Sequence, residues 1–141
     1  MANAISAFGT LLKRGDGGGT EVFTTIAEVR DISGPSISVD TTEVTHQTST
    51  NGWKEKLPTL KDAGEVSFDC NFIPTENTQD AGAGLLLDLK NKTKRNFQLV
   101  FPDTTTWSFS AFVTGFAPSA PLGDALTASV TLTVTGEPTL A

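Results

Sequence analysis

Along residues 65–73 the chain reads EVSFDCNFI, and apolar and polar side chains alternate without a break. Val66, Phe68, Cys70 and Phe72 fall on one side, and Glu65, Ser67, Asp69 and Asn71 on the other. A period of two places one side in a core and the other in water, so this stretch predicts a half-buried strand. Residues 126–135 repeat the device, with Ala128, Val130, Leu132 and Val134 inward and five Ser or Thr residues outward. A third strand is predicted over 106–116, with Trp107, Phe109, Ala111 and Val113 on one side. Phe112 and Phe116 fall on its other side, which predicts that both of its faces are covered. Residues 96–101 read as a shorter strand. Residues 37–45, with weaker alternation, and 21–26 and 7–13 are further candidates.

One stretch changes period. Leu85, Leu86 and Leu89 form a stripe at helical spacing, and a helix is predicted over 78–92. Asn77 or Thr78 can cap its start. Asp80 suits the positive end of the helix dipole, and Lys90 and Lys92 the negative end. Gly82 and Gly84 inside it would each cost about 1 kcal/mol against Ala, so the helix needs packing against a sheet. Strands followed by one helix and then more strands predict a mainly β fold of antiparallel sheet with the helix on one flank.

Two segments have no period. GDGGGT at 15–20 reads as a turn or flexible link. Residues 46–63, HQTSTNGWKEKLPTLKDA, form a long polar stretch between strands. Unstructured connections of that length are uncommon in compact domains and are usually functional or disordered. This one keeps Trp53, Leu57 and Leu60, with Lys54, Lys56 and Lys61 interspersed among Glu55 and Asp62. It reads as an arm that docks on a neighbouring chain; the other reading is a mobile surface loop.

A chain of 141 residues fits one domain spanning 1–141. Only 18% of residues are charged, a share that suits a surface hidden against partners, and the net charge is −6. Affinity for phosphates comes from Lys and Arg releasing counterions, so tight DNA binding is not expected of such a chain. The single cysteine permits no internal disulfide. Neither a secretory leader nor a membrane-spanning run is read in the sequence.

Candidate chemistry is sparse. His46 is the one histidine, and its neighbours Ser36, Ser49 and Asp40 make no pattern that holds an imidazole for catalysis. One His and one distant Cys do not make a metal site. GDGGGT lacks the Lys and the following helix of a phosphate-cradling loop. Cys70 sits on the apolar side of a strand and reads as a structural thiol. Glu65 and Asp69 lie roughly 13 Å apart at strand rise, too far for paired acids. They read equally as electrostatic lining or as ordinary solvated residues. The basic cluster Lys90, Lys92, Lys94 and Arg95 is explained by the end of the helix, with partner contact as the alternative. These observations predict no catalytic residues, no metal and no cofactor.

The run from Trp53 to Phe68, WKEKLPTLKDAGEVSF, resembles the loop-to-strand segment of siphophage major tail tube proteins. FVTGFAP from Phe112, PLGD from Pro121, the Thr-rich strand and the closing Gly136-Glu-Pro138 resemble that family's C-terminal part. The likeness covers most of the chain in order, and the first twenty residues add little. It implies a β-sandwich or partial barrel flanked by one α-helix, and a structural, non-enzymatic subunit of a virion tail tube, made in the host cytoplasm. It further implies hexameric rings stacked into a hollow tube that conducts the genome during ejection, DNA passing without specific binding. Implied partners are other copies of the chain, a tape-measure protein, a tail terminator and distal tail proteins, with no membrane. In this picture residues 46–63 form the ring-stacking loop, carrying Trp53, Lys54, Lys56, Leu57, Leu60 and Lys61. Glu65 and Asp69 are the candidates for the lumen. The alternative is a tube subunit of a type VI secretion-like system, or another β-sandwich module for assembly or decoration of a virion.

Overall fold

The computed structural model describes residues 4–17, 19–82 and 84–141. Its elements in chain order are β1 (Leu11–Gly15), β2 (Phe23–Thr25), β3 (Val29–Ser33), β4 (Ser38–Glu43), β5 (Lys56–Asp62), β6 (Glu65–Asn71), α1 (Leu85–Asn91), β7 (Lys94–Val100), β8 (Thr106–Ser119) and β9 (Thr127–Leu140). Seven strands make one antiparallel sheet in the order β2-β1-β7-β8-β9-β6-β3, and β4 pairs with β5 alone. The architecture is the expected one, mainly β with a single helix.

The alternating strands behave as their pattern requires. Cross-strand partners share a face, and the register places Val66 opposite Leu132, Phe68 opposite Val130 and Cys70 opposite Ala128. These six side chains are buried, together with Leu12, Phe97, Leu99, Phe109, Ala111, Val113 and Val134. Each large apolar side chain so removed from water contributes about 1.5–3 kcal/mol. The sheet bends around this core far enough that Ile32 of β3 and Leu99 of β7 line one cavity of about 520 Å³. Among the described residues no ladder joins the two edge strands β2 and β3. The sheet is therefore a partial barrel with an open seam.

The helix packs on the apolar side of the sheet through Leu85 and Asp88, both fully buried. It is shorter than the predicted span of 78–92. Residues 75–82 fold into turns instead, and Ala83 lies outside the described residues. Gln79 holds these turns in place. Its fully buried amide donates to the carbonyls of Ala27 (2.8 Å) and Asn71 (3.1 Å) and accepts from the Ile73 N–H (2.9 Å). Thr78 is not a cap; its hydroxyl accepts from the Ala27 N–H. Gly84 occupies the N-cap position, where a Cβ would press on the backbone of Gln79 and Asp80. Gly82 and Gly84 thus precede the helix rather than weaken its interior. Lys90 stands in the last turn, and Lys92 takes the left-handed C-cap position.

Two further differences concern the strands. The β8–β9 register shifts between Val113 and Gly115, an irregularity that inverts the facing of the residues beyond it. Phe112 pairs with Thr133 on the polar face, whereas Phe116 pairs with Val130 and packs on the core side, edge-on to Phe72 at 5.3 Å. Phe112 and Phe116 therefore do not cover a common second face. In the 15–20 segment, Gly15 closes β1, and Gly18 lies outside the described residues.

Candidate assembly surfaces

The predicted loop at 46–63 is partly strand. Its last seven residues before Ala63 form β5, which pairs with β4 through Val39 opposite Lys61, Thr41 opposite Pro58, Thr42 opposite Leu57 and Glu43 opposite Lys56. A bond from the Val44 N–H to the Glu55 carbonyl (2.8 Å) extends the ladder toward the tip. The result is a two-stranded arm inserted between β3 and β6. All six residues of β4 and all seven of β5 are exposed. At strand rise the arm is about 30 Å from root to tip.

Both ends of the arm's root are glycine for a steric reason. Gly34 has φ +111°, and a Cβ there would fall on the Glu65 carbonyl oxygen. Gly64 has φ +68°, and a Cβ there would meet the Ser36 carbonyl oxygen. The two chain passages leave and re-enter the sheet in contact, in conformations that side-chain-bearing residues rarely adopt.

The tip is ordered by its own bonds. Residues Thr50–Gly52 form a 3₁₀ turn, closed by the Trp53 N–H donating to the Thr50 carbonyl (3.1 Å). The Ser49 hydroxyl donates to the Glu55 carboxylate, and His46 Nε2 lies 3.4 Å from the same oxygen. The imidazole's other nitrogen, Nδ1, meets the Thr48 hydroxyl at 3.0 Å. His46 and Ser49 are thus parts of a folded hairpin tip. Trp53 is 73% exposed, Leu60 76% and Leu57 53%, and Lys54, Lys56 and Lys61 are exposed beside them. The arm brings together all six residues expected to serve stacking.

Glu65 and Asp69 lie on the second surface, the sheet face opposite the core. One rung of this face reads Glu65, Thr133, Phe112, Lys94 across β6, β9, β8 and β7. Two residues on, Ser67 stands opposite Thr131, and beyond it Asp69 stands opposite Ser129, whose hydroxyl donates to the Asp69 carboxylate at 2.9 Å. Thr114 and Thr133 exchange a hydroxyl bond at 3.0 Å. None of Glu65, Ser67, Asp69, Ser129, Thr131 or Thr133 is buried. The helix lies on the other side, so this face is a broad hydroxyl-rich plane with isolated charges.

Sequence reasoning missed the buried ion cluster that fixes the helix. Asp88, fully buried, takes both Nε (2.6 Å) and Nη2 (2.9 Å) of Arg14 and Nε of Arg95 (3.0 Å). Arg95 also donates to the Asp16 carbonyl (2.7 Å). The signal was present: Asp88 sits three residues after Leu85 on the apolar stripe, and Arg95 shares the inward alternation of Phe97 and Leu99. Arg95 therefore serves the core of the fold, while Lys90, Lys92 and Lys94 remain a surface group. Cys70 is buried, and burial, with a smaller effect from Asp69, pushes its thiol up to about 11. Among the described residues no three His, Cys, Asp or Glu side chains are placed to hold a metal ion, and no helix is long and apolar enough to cross a membrane.

Residues 16–141, covering the arm, the helix and every strand except β1, match the family model described as "Lambda phage tail tube protein, TTP". The chain belongs to the lambda phage tail tube protein family. As a tail tube protein it is a structural subunit of a tail. Its fold is shared with a chain of the native gene transfer agent virion, at TM-score 0.77 and 18% identity over 98% of this chain and 99% of that one. A chain of the empty gene transfer agent tail, solved with C6 symmetry, matches at TM-score 0.75 and 20% identity over 93% and 95%. A chain of the PVC sheath-tube complex, from an extracellular contractile injection system in its extended state, matches at TM-score 0.66 and 20% identity over 100% and 93%. A comparison with curated protein sequences finds no match.

Proposed function

We propose that six copies of this chain close into a ring, that rings stack into a hollow tube, and that the arm is the stacking element. The observation that carries this reading is the arm itself. A two-stranded hairpin with no buried residue is marginally stable in water, yet this one displays Trp53, Leu57 and Leu60. Burying those side chains against another copy supplies what the isolated hairpin lacks. The open seam supports ring closure: β2 and β3 each carry an unpaired edge, and heterologous contacts that close by rotation cover such edges. The gene transfer agent tail that shares the fold has sixfold symmetry.

In this assembly the hydroxyl-rich sheet face lines the channel. Between Glu65 and Asp69 its β6 and β9 rows are mostly hydroxyl side chains, and the two carboxylates add negative charge to a chain of net charge −6. DNA slides over such a surface without being held. The chain acts by assembly rather than by reaction, as one domain within the virion tail, built in the host cytoplasm. The tube grows on a tape-measure protein and ends at terminator and distal tail proteins. Negative-stain imaging of the purified, concentrated protein tests the reading. Hollow tubes or rings are expected; a species that stays monomeric at every salt concentration, with tape-measure protein added, contradicts it.

A further inference from the structure

We propose that the turn joining β8 and β9 is the receiving surface for the arm of a copy in the adjacent ring. The inference rests on the stacked-ring reading and names the contact that stacking uses. Its basis is the register of the sheet. The arm leaves after Ser33 and returns at Glu65, at the end of the β6–β9 ladder where Glu65 pairs with Thr133. At the opposite end of that ladder, Asn71 pairs with Thr127, and Thr127 pairs with Ser119 across the β8–β9 turn. The arm and this turn therefore project from opposite ends of one sheet. Rings stacked head to tail bring those two ends together, a contact of unlike surfaces that propagates without limit along an axis.

The two surfaces match in chemistry. Leu122 at the turn is fully exposed, Leu126 is also exposed, and Pro121 lies beside them. The turn is held in shape by the Asp124 N–H donating to the Pro121 carbonyl (3.3 Å), and its base is tied to the sheet by the Phe72 N–H donating to the Leu126 carbonyl (2.8 Å). These bonds shape a turn that presents Leu122 to solvent. Asp124 is the single charged residue between Ser119 and Thr127. The arm presents Trp53 followed by Lys54 and Lys56, which form no ion pair among the described residues, while Glu55 is engaged by Ser49 and His46. An exposed indole followed in the chain by two lysines thus faces exposed leucines beside one carboxylate. A buried Trp at the centre of an interface commonly dominates its energy.

The test is cross-linking within tubes of the double variant Lys54→Cys/Ala125→Cys, which retains Trp53, Leu122 and Asp124. Cys70 is buried and contributes no background. A short bis-maleimide should convert these tubes into a ladder of linked chains extending beyond the number in one ring, while either single variant yields no product larger than two chains. A ladder that stops at one ring's count, or tubes that form without any ladder, overturns the proposal. The variant Leu122→Asp gives a second reading on unmodified chemistry. It should keep its thermal stability and need about tenfold or more protein to form tubes, the scale of losing an interface anchor. Normal tubes from Leu122→Asp reject this contact and leave the tube reading intact. Failure of the unaltered protein to form tubes rejects both.

Discussion

The seven-stranded sheet and the two-stranded arm are built from the same ladder and differ in what lies behind it. In the sheet, β6 and β9 alternate buried and exposed residues along their paired length. In the arm, β4 and β5 bury nothing. Backbone hydrogen bonds alone contribute little net stability, because water offers the unfolded chain equivalent partners. The sheet is therefore stable by itself, and the arm is a surface waiting for a second copy. Mutations in the first region should act on folding, and mutations in the second on assembly.

Phe97→Ala should have the largest effect on folding. Phe97 is buried and stacks with Phe109 at 5.9 Å, and its truncation should cost about 3–5 kcal/mol by denaturant unfolding of the free subunit. Asp88→Asn should follow closely, at about 3 kcal/mol, because Arg14 and Arg95 lose the carboxylate that neutralises them in a mostly buried site. An Asp88→Asn protein as stable as the parent would show the cluster to be ornamental. Trp53→Ala should change folding stability by less than about 0.5 kcal/mol, since the side chain is largely solvated, while abolishing tubes. An equal loss of stability in the free subunit would place Trp53 in the core and erase the contrast between the regions.

The smallest effect concerns pH. The Cys70 thiol is raised in the folded state from 9.0 to about 11, so the folded protein holds its proton where the unfolded chain releases it. Its contribution to stability is intact below pH 9.0 and is lost as pH rises to about 11. The stability difference between the parent and Cys70→Ala should therefore shrink over that window. A difference independent of pH would show that the thiol is not buried in solution.

The same contrast explains what the sequence revealed. Strands β6 and β9 were legible because a buried face imposes a period of two. In the arm, β4 shows through weak alternation over 37–45, whereas β5 reads as loop, because neither face is buried and nothing imposes a period on Lys56–Asp62. Strand β3 went unread because the register shifts between Val29 and Ile32, which breaks the alternation of its two inward residues. The facing of Phe116 is inverted by the irregularity between Val113 and Gly115, for which Gly115 inside the strand is the one available signal. The predicted helix is too long because the buried Gln79 side chain, bonded to the backbone of Ile73, Ala27 and Asn71, holds the residues before Leu85 in isolated turns. For the candidate site, residue identity sufficed for the apolar and basic set around Trp53. Its geometry as a paired arm depended on contacts that hydrophobic periodicity does not encode.

Hydrogen exchange of the free subunit and of the assembled tube measures the central claim directly. Amides of β6, β8 and β9 should be protected in both states. Those of β4 and β5 should exchange rapidly in the free subunit and become protected in the tube. Equal protection of β4 and β5 before and after assembly would contradict the account.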